Sequence, residues 1–326
     1  MSTGTLEHLP HLVADIGGTH ARFALCTSVH DIDKISVMAV ADFPTIVQAI
    51  THYLHSIGDP TVTHAVIGIA NPILGDHIKM TNFPWEFSIE ATRKALGLKK
   101  LHVINDFTAL ALSLPYLPAN ELRAIGGGQA VPGTPLGLLG PGTGLGVSAL
   151  IPGAKGSWTP LAAEGGHVSF APCDEREQLL WQQARKEHSH VSMERLVSGS
   201  GLQFIYRELC RQAGNDARDY SPADITERAM ADRDRHCRDA LDTFCAILGT
   251  AASNLAVTLG ARGGIYIGGG IIPKLGDYFA TSPFRARFND KGRFSDYLAA
   301  IPVWVITGQY PALLGAAALL DTYPDE

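Results

Sequence analysis

Clustered glycine is the feature that most constrains what this chain can fold into. Glycine makes up 34 of 326 residues, which is about 10% against a usual ~7%. Eighteen of these glycines fall in four short windows, at residues 17–18, 126–146, 165–166 and 263–270. Clusters of this kind mark backbone that adopts unusual dihedral angles or lies against a ligand. The sequence therefore predicts glycine-lined turns that serve a binding site.

Composition narrows the classes of protein that remain. At ~150 residues per domain, a chain of 326 residues predicts about two domains. Its hydrophobic share of 46% is that of a globular protein, and its net charge of −6 offers no broad basic surface to nucleic acid or to an anionic membrane. The five scattered cysteines form no C-x-x-C pair, which argues against disulfides and against structural zinc. With neither a leader sequence nor a long apolar run, we expect a cytoplasmic protein without a membrane partner.

Apolar periodicity predicts an α/β chain. A β-meander is expected at 12–16, 21–26 and 35–41, followed by alternating helices and buried strands. Beyond residue 115 the chain becomes rich in glycine and proline, and helices dominate from 175 to 260. The other expected helices are 44–57, 88–96, 107–114, 234–259 and 311–320, and the other expected strands are 64–70, 101–104, 136–139, 146–151, 264–267 and 301–306.

The first glycine window directly follows the first strand, in the motif Asp15-Ile16-Gly17-Gly18-Thr19. Two glycines permit a hairpin whose amides face a phosphate, with Thr19 beside it and Asp15 within reach of a hydrated divalent cation. An ordinary hairpin turn is the alternative, because Gly-Gly is a common turn pair. The motif by itself leaves both interpretations open.

The second motif is Gly140-Pro141-Gly142-Thr143-Gly144-Leu145-Gly146, which also suits a phosphate. Residues 144–149 match the G-x-G-x-x-A fingerprint of dinucleotide-binding proteins, with Glu164 in the position of the ribose-binding acid. That fold needs a helix after the turn, whereas Pro152-Gly153 stops the segment within a few residues. Strand–turn–strand is therefore favoured, and a dehydrogenase is disfavoured. The sequence contains no G-x-x-x-x-G-K-[ST], which excludes a Walker nucleotide site.

Asn105-Asp106 stands between a buried strand and a helix. A carboxylate at a helix N-terminus is kept ionised by the helix dipole, which suits a general base. The alternative is a helix N-cap, for which Asn and Asp are both preferred residues. Both interpretations remain open at this point.

The fourth candidate motif is a set of polar residues, Glu164-Gly165-Gly166-His167 together with Glu194, which lies in the stretch 190–195. Carboxylates, an imidazole and an amide are suited to the hydroxyls of a sugar. Each residue taken alone could equally be a surface acid or an ordinary histidine. A metal site is disfavoured because no H-x-x-x-H accompanies the set.

In this order the motifs resemble the bacterial glucokinases, the hexokinase-type, zinc-free group of the actin-like sugar kinases, over about residues 12–320. Residues 15–19 and 140–146 are similar to the two phosphate motifs of that family, and 264–273 to its adenosine motif. Residues 105–108, 164–167 and 190–195 are similar to its sugar-binding segments, and 69–72 and 80–82 to loops bordering its cleft. One departure is His20, where the family commonly has Asn.

The resemblance implies a fold, a domain arrangement and ligands. The implied fold is α/β, a two-domain actin-like ATPase (ribonuclease-H-like) fold with an interdomain cleft. A small domain would comprise residues 1–114 plus 307–326, and a large domain 115–306. Glucose would be phosphorylated on its 6-hydroxyl by ATP with Mg²⁺, giving glucose 6-phosphate and ADP for glycolysis. A kinase for another hexose and a catalytically silent sugar-binding regulator are the alternatives, and homodimer assembly is left open.

The resemblance also assigns roles to residues. Asp106 would be the base that accepts the proton of the hydroxyl, and Asp15 would hold the metal through water. The sugar would be bound by Asn105, Glu164, His167, Glu194 and Asn82. The nucleotide would be bound by Ala14, Asp15, Ile16, Gly17, Gly18, Thr19, Gly142, Thr143, Gly144, Gly269 and Gly270.

Overall fold

The computed structural model describes residues 9–80 and 83–322. Within these ranges the strands are β1 His11–Ile16, β2 His20–Ser28, β3 Asp31–Ala39, β4 His64–Ile69, β5 His77–Lys79, β6 Glu86–Ser88, β7 Lys100–Asn105, β8 Leu122–Ala124, β9 Leu136–Pro141, β10 Leu145–Pro152, β11 Trp158–Ala163, β12 Gly264–Ile267 and β13 Val303–Ile306. The α-helices are α1 Ile46–Ser56, α2 Ile89–Ala95, α3 Asp106–Ser113, α4 Glu175–Glu187, α5 Gly199–Gln212, α6 Pro222–Met230, α7 Arg235–Leu259, α8 Asp277–Thr281, α9 Phe284–Asn289, α10 Ser295–Ala299 and α11 Pro311–Thr322.

The chain separates into two compact units. The first comprises residues 1–118 with 308–326, and the second comprises residues 119–307. Domain boundaries after residues 114 and 306 stay a prediction about independently folding domains, which limited proteolysis would test.

The first unit is built on a five-stranded sheet in the order β3-β2-β1-β4-β7. Strands β1, β2 and β3 form an antiparallel meander, whereas β1, β4 and β7 run parallel. Leu12, Ile16, Ile67 and Ile69 are buried in the core of this sheet because the central strands are covered on both faces. The small hairpin of β5 and β6 stands apart as a two-stranded sheet.

Helix α11 returns the end of the chain to the first unit, where it packs against α3 and the strands β1, β2 and β4. The packing is so close that a Cβ at Gly315 would lie 1.7 Å from the carbonyl oxygen of Ala109. Glycine is therefore required at this point of α11, in the middle of a helix where it is otherwise unfavourable.

The second unit contains a six-stranded sheet in the order β11-β10-β9-β12-β13-β8. Strands β9, β10 and β11 again form an antiparallel meander, and β9, β12 and β13 run parallel. The arrangement of the first five strands is the same as in the first unit, with β8 added antiparallel to β13. Both sheets thus have the topology of the ribonuclease-H-like fold.

Helix α7 forms the centre of the second unit. It is 25 residues long and apolar enough to cross a membrane, yet 72% of its most apolar window is buried inside the protein. Leu241, Phe244 and Leu248 are completely buried in the main core. Asp234 caps its first turn, and Gly260 ends it in the left-handed conformation. We therefore interpret α7 as the core helix of this unit.

Most expected elements are confirmed, with shifts at their ends. The strand expected at 264–267 is β12, and the helix expected at 234–259 is α7. The strand expected at 35–41 begins earlier, at Asp31, because β3 is an exposed edge strand whose first residues are polar. The strand expected at 301–306 begins only at Val303, after Pro302, which has no N–H to donate to a neighbouring strand.

Candidate active site

Parallel pairing brings three segments of the first unit to one edge of its sheet. Ile16 of β1 lies opposite Ile69 of β4, and Ile69 lies opposite Asn105 of β7. The turn at 17–19, the loop after Ile69 and the start of α3 therefore follow from neighbouring strand ends. Ligands bind at the carboxyl ends of parallel strands in α/β folds, so this edge is the candidate site of the first unit.

The glycine turn at 17–19 is a tight hairpin, as expected from the sequence. The amide of Gly17 donates to the carbonyl oxygen of His20 at 3.0 Å, and Thr19 and His20 are exposed. Gly17 does not adopt a positive φ, and a Cβ added to it would meet only that carbonyl, at an ordinary 3.7 Å. The protein itself therefore does not require glycine at position 17, which is consistent with a ligand that approaches the backbone.

Asp15 is held beside the hairpin by an arginine that sequence reasoning missed. Asp15 lies directly opposite Arg22 in the antiparallel pair of β1 and β2. The Arg22 Nη1 donates to Asp15 Oδ2 at 2.9 Å, and the carboxylate side chain is 19% exposed. Burial raises the pKa of Asp15 above its usual range, and the neighbouring Arg22 opposes that rise. The sequence does contain a signal for this pair. Once a hairpin turn is assigned to 17–19, its length sets the register of β1 and β2, and that register places Arg22 opposite Asp15.

The structure shows which of Asn105 and Asp106 caps helix α3, a question that the sequence left open. Asn105 is the N-cap of α3: its Oδ1 accepts from the amides of Phe107 at 2.8 Å and Thr108 at 3.2 Å. Its Nδ2 donates to the carbonyl oxygen of Asn71 at 3.4 Å. Asp106 is the first helical residue, and its Oδ1 accepts from the Phe107 amide at 2.9 Å. The cap is therefore made by Asn105, and the half-buried Asp106 is fixed where the helix dipole favours a negative charge.

In the second unit two glycine loops meet at the carboxyl ends of β9 and β12. A Cβ at Gly140 would lie 2.6 Å from the backbone carbon of Gly268, and one at Gly269 would lie 2.5 Å from the oxygen of Pro141. Gly269 also has a φ of +79°. Both glycines are thus required for the two loops to touch.

At two further glycines of these loops, no neighbouring atom in the described part of the chain requires the absence of a side chain. A Cβ at Gly142 would come no closer than 3.9 Å to the amide nitrogen of Gly270, and one at Gly270 would meet nothing within 4 Å. Thr143, which directly follows Gly142, is exposed. The absence of side chains at 142 and 270 leaves room for a ligand against the backbone, as at Gly17.

The polar residues after β11 lie beside the start of β10. Val147 of β10 pairs with Ala163, so Glu164 follows on the same edge as Leu145. A Cβ at Gly166 would lie only 2.2 Å from the carbonyl oxygen of Leu145. The turn of 165–167 is therefore pressed against the end of the glycine loop, with Glu164 and His167 both exposed.

Residues 190–195 join this turn through backbone pairing. The amide of Met193 donates to the oxygen of Val168 at 2.8 Å, and His190 Nε2 lies 3.0 Å from the oxygen of His167. His167 and Glu194 consequently line one cavity of about 330 Å³, together with Glu187, His188, Ser189, His190, Ser192 and Arg195. The structure thus brings together two of the expected sugar ligands that are distant in sequence.

The remaining site expectations have different outcomes. Asn82 lies outside the described residues. Ala14 and Ile16 are completely buried, so only their backbone could contact a nucleotide. Among the described residues, no group of three or more His, Cys, Asp or Glu side chains could hold a metal ion. A metal at Asp15 would thus need ligands from other molecules.

The repeated strand topology and the glycine loops at the carboxyl ends of both sheets define a two-unit sugar kinase of the actin-like class. The family model for glucokinase matches residues 12–323. The glucokinase of Chromobacterium violaceum is 56% identical over 320 residues, which cover 98% of this chain and 92% of that protein. The glucokinase of Neisseria meningitidis is 51% identical, over 96% of this chain and 95% of its own length. The chain belongs to the glucokinase family.

Structural similarity leads to the same family. The crystal structure of a glucokinase from an Antarctic psychrotroph superimposes with a TM-score of 0.87 at 38% identity. The match covers 96% of this chain and 99% of that one. Both the fold and the family expected from the motifs are therefore confirmed.

Proposed function

We propose that this chain is an ATP-dependent glucokinase, which transfers the γ-phosphoryl group of ATP to the 6-hydroxyl of glucose and releases glucose 6-phosphate and ADP. The observation that carries the proposal is the position of Asp106. It is a carboxylate fixed at the first residue of a helix, on the same sheet edge as a glycine hairpin whose glycine the protein itself does not require.

Asp106 acts as the general base. Phosphoryl transfer needs a group that accepts the proton of the attacking hydroxyl, and an aspartate commonly does this. Its Oδ1 accepts from the Phe107 amide, which orients the carboxylate at the start of α3. Because Asn105 caps the helix, Asp106 is not required for that purpose.

The other polar residues position the sugar. Glu164, His167 and Glu194 supply acceptors and a donor for its hydroxyls. Asn105 offers a donor, since its Oδ1 is engaged by α3. A site that bonds each hydroxyl rejects sugars that cannot satisfy it. Asn82 completes this proposed set.

The glycine loops bind the nucleotide. Backbone amides of 17–19 and 142–144, with the hydroxyls of Thr19 and Thr143, would contact the phosphates. Gly269 and Gly270 would border the adenosine, because they lie on the loop that touches Gly140 and Pro141. Ala14 and Ile16 support the hairpin from the core and contribute through their backbone.

Asp15 fits a magnesium ion that arrives with ATP. Mg²⁺ takes one or two carboxylates and completes its shell with water and phosphate oxygens. Arg22 bonds Asp15 Oδ2, which leaves Oδ1 to contact the ion through water. When bound, the ion neutralises charge on the phosphates. We further propose that the protein works in the cytoplasm, where it supplies glycolysis.

The experiment is the substitution Asp106→Asn, read by turnover and glucose affinity together. Asn keeps the size of the side chain and can still bond a hydroxyl, but it cannot accept a proton. Loss of a general base costs ~10²–10⁴-fold in turnover, while glucose binding should change little. Turnover is followed by coupled ADP release across a panel of hexoses, which also tests the kinase for another sugar and the silent regulator.

Asp277→Asn is the matched control. Asp277 is likewise the first residue of a helix, α8, but it is exposed and pairs with Arg123. This variant should keep the wild-type turnover. Retained turnover in Asp106→Asn would contradict the role of Asp106 as base.

A further inference from the structure

Glu194 contacts the phosphate loop as well as the sugar cavity. Its Oε2 accepts from the amide of Leu145 at 2.8 Å, and the side chain is half-buried. Leu145 is the first residue of β10, directly after the loop of 142–144. A carboxylate has two oxygens and about four acceptor positions. One oxygen thus holds the loop, while Glu194 also lines the cavity shared with His167, so Oε1 is the oxygen that remains for a sugar hydroxyl.

Gly144 shows how closely the carboxylate lies against this loop. A Cβ at position 144 would be 2.4 Å from Glu194 Oε2 and 3.1 Å from its Cδ. Gly144 does not have a positive φ, so its backbone conformation alone does not demand glycine. The contact at position 144 is with the carboxylate of Glu194, the end of a flexible side chain that would have to move if a methyl group were added.

The segment 190–199 makes further hydrogen bonds both to the turn that carries His167 and to the loop of 142–144. At one end, His190 and Met193 bond the turn that carries His167. At the other end, the amide of Gly199 donates to the oxygen of Gly142 at 2.9 Å. One short segment therefore connects the sugar turn with the phosphate loop.

We propose that Glu194 is a positioning residue that couples sugar binding to nucleotide binding within residues 119–307. This inference rests on the proposed function. A sugar hydroxyl bonded to Oε1 restricts the rotamers of Glu194, which strengthens its bond to Leu145 N–H and orders the phosphate loop before ATP arrives. Such coupling is reciprocal, so an ordered loop also holds Glu194 ready for the sugar.

Crossed binding measurements test the coupling. Glu194→Asp is shorter by one methylene, which draws the carboxylate away from the Leu145 amide, so nucleotide affinity measured without glucose should fall about tenfold, within the usual 5–150-fold range of coupling. Glu194→Gln keeps the length and one acceptor oxygen, and should restore most nucleotide affinity. Gly144→Ala should displace the carboxylate and weaken glucose binding about tenfold without nucleotide. Calorimetry titrates glucose and a non-hydrolysable ATP analogue, each in the absence and in the presence of the other. It gives the single-ligand constants and the coupling factor, which should exceed one in the wild type and fall close to one in Glu194→Asp.

Gly142→Ala is the control in the same loop. It adds the same methyl group where there is room, so it should leave glucose affinity unchanged whatever it does to the nucleotide. Thermal unfolding confirms that each variant is folded; if Gly144→Ala is not, the comparison of Glu194→Asp with Glu194→Gln decides. Wild-type nucleotide affinity in Glu194→Asp, or wild-type glucose affinity in a folded Gly144→Ala, would overturn the coupling.

The coupling and the proposed function fail in different ways. Absence of glucose turnover in the wild-type protein would overturn the proposed function, and the coupling with it. Normal turnover with both crossed effects missing would overturn the coupling alone.

Discussion

Replacing Gly315 by alanine should move α3, the helix that carries the proposed base Asp106, without altering any residue of the proposed site. Gly315 lies in the middle of α11 and faces the backbone of α3, the helix that begins with Asp106. An added Cβ would lie 1.7 Å from the oxygen of Ala109 and 2.9 Å from the nitrogen of Ser113. Since all of these atoms are backbone, no side-chain rotation can relieve the contact.

The size of the movement follows from these distances. Real Cβ contacts do not fall below 3.0 Å, so α3 and α11 must separate by about 1.3 Å at this point. Helix α3 cannot move away from α11 without approaching β4 on its other side. The packing there is already close, because a Cβ added at Gly68 of β4 would lie 3.2 Å from the Cβ of Ala109. Overpacking costs about 1–3 kcal/mol, and alanine returns about 1 kcal/mol of helix propensity. We expect a net loss of about 0–2 kcal/mol in the free energy of unfolding.

The effect on turnover should exceed the effect on stability. A displacement of about 1 Å in a reacting group can cost about 10²-fold in rate. The proposed sugar ligands Glu194 and His167 belong to the other unit, so glucose affinity should change much less. Gly315→Ala should therefore lower kcat about 100-fold while the protein stays folded.

Two variants make the assay specific. Gly249→Ala places a methyl group 2.5 Å from the oxygen of Phe284, again between two helices but in the second unit. It should lower the melting temperature and leave kcat unchanged. Gly68→Ala approaches Ala109 from the opposite side at 3.2 Å, which requires a shift of only a few tenths of an ångström, and should give an intermediate kcat. A folded Gly315→Ala protein with wild-type kcat would refute the reasoning.

Two further predictions concern Asp15 and the metal. Because burial raises the pKa of Asp15, its ionised form destabilises the folded state at neutral pH. Asp15→Asn should therefore raise the melting temperature at pH 7, and this gain should shrink as the pH falls through the raised pKa. The same substitution should lower turnover. A lower melting temperature at pH 7 would contradict this. EDTA should abolish turnover, and Mg²⁺ should restore it, without a change in melting temperature. Stoichiometric zinc in the purified protein, or unfolding on chelation, would count against this prediction.

The sequence predicts local structure well wherever a strong periodic pattern meets a clear boundary. The helix α3 could be placed because a buried strand ends at Asn105 and Pro115 follows the helix within two residues of its end. The strand–turn–strand structure of 136–152 could be told from a dinucleotide fold because Pro152-Gly153 forbids a helix there. The elements β8, β11 and α8 were missed because their segments, LRA, WTPLAA and DYFAT, carry neither an unbroken apolar run like that of β12 nor a clear periodicity.

What the sequence alone does not predict is pairing between distant residues. The two units share the order of five strands, yet the sequence shows no internal repeat, because the topology constrains hydrophobic patterning and not residue identity. The bond from Leu145 to Glu194 joins residues 49 positions apart. The division of roles between Asn105 and Asp106 was also open, because both residue types can cap a helix and only the hydrogen-bond geometry distinguishes them.

The glycine windows that constrain the fold most strongly serve two separate purposes, and the structure separates them. Gly140, Gly166 and Gly269 are glycine because the backbone of another segment occupies the space of a side chain, at 2.2–2.6 Å, and a methyl group at Gly144 would displace the Glu194 carboxylate. Gly17, Gly142 and Gly270 have space around them and no positive φ, so the folded chain would accept alanine at each. A methyl group at the first set should therefore disturb the protein before any ligand is added. At the second set it should disturb only the complex with nucleotide, so alanine at these three positions is the most direct test of the proposed phosphate and adenosine contacts.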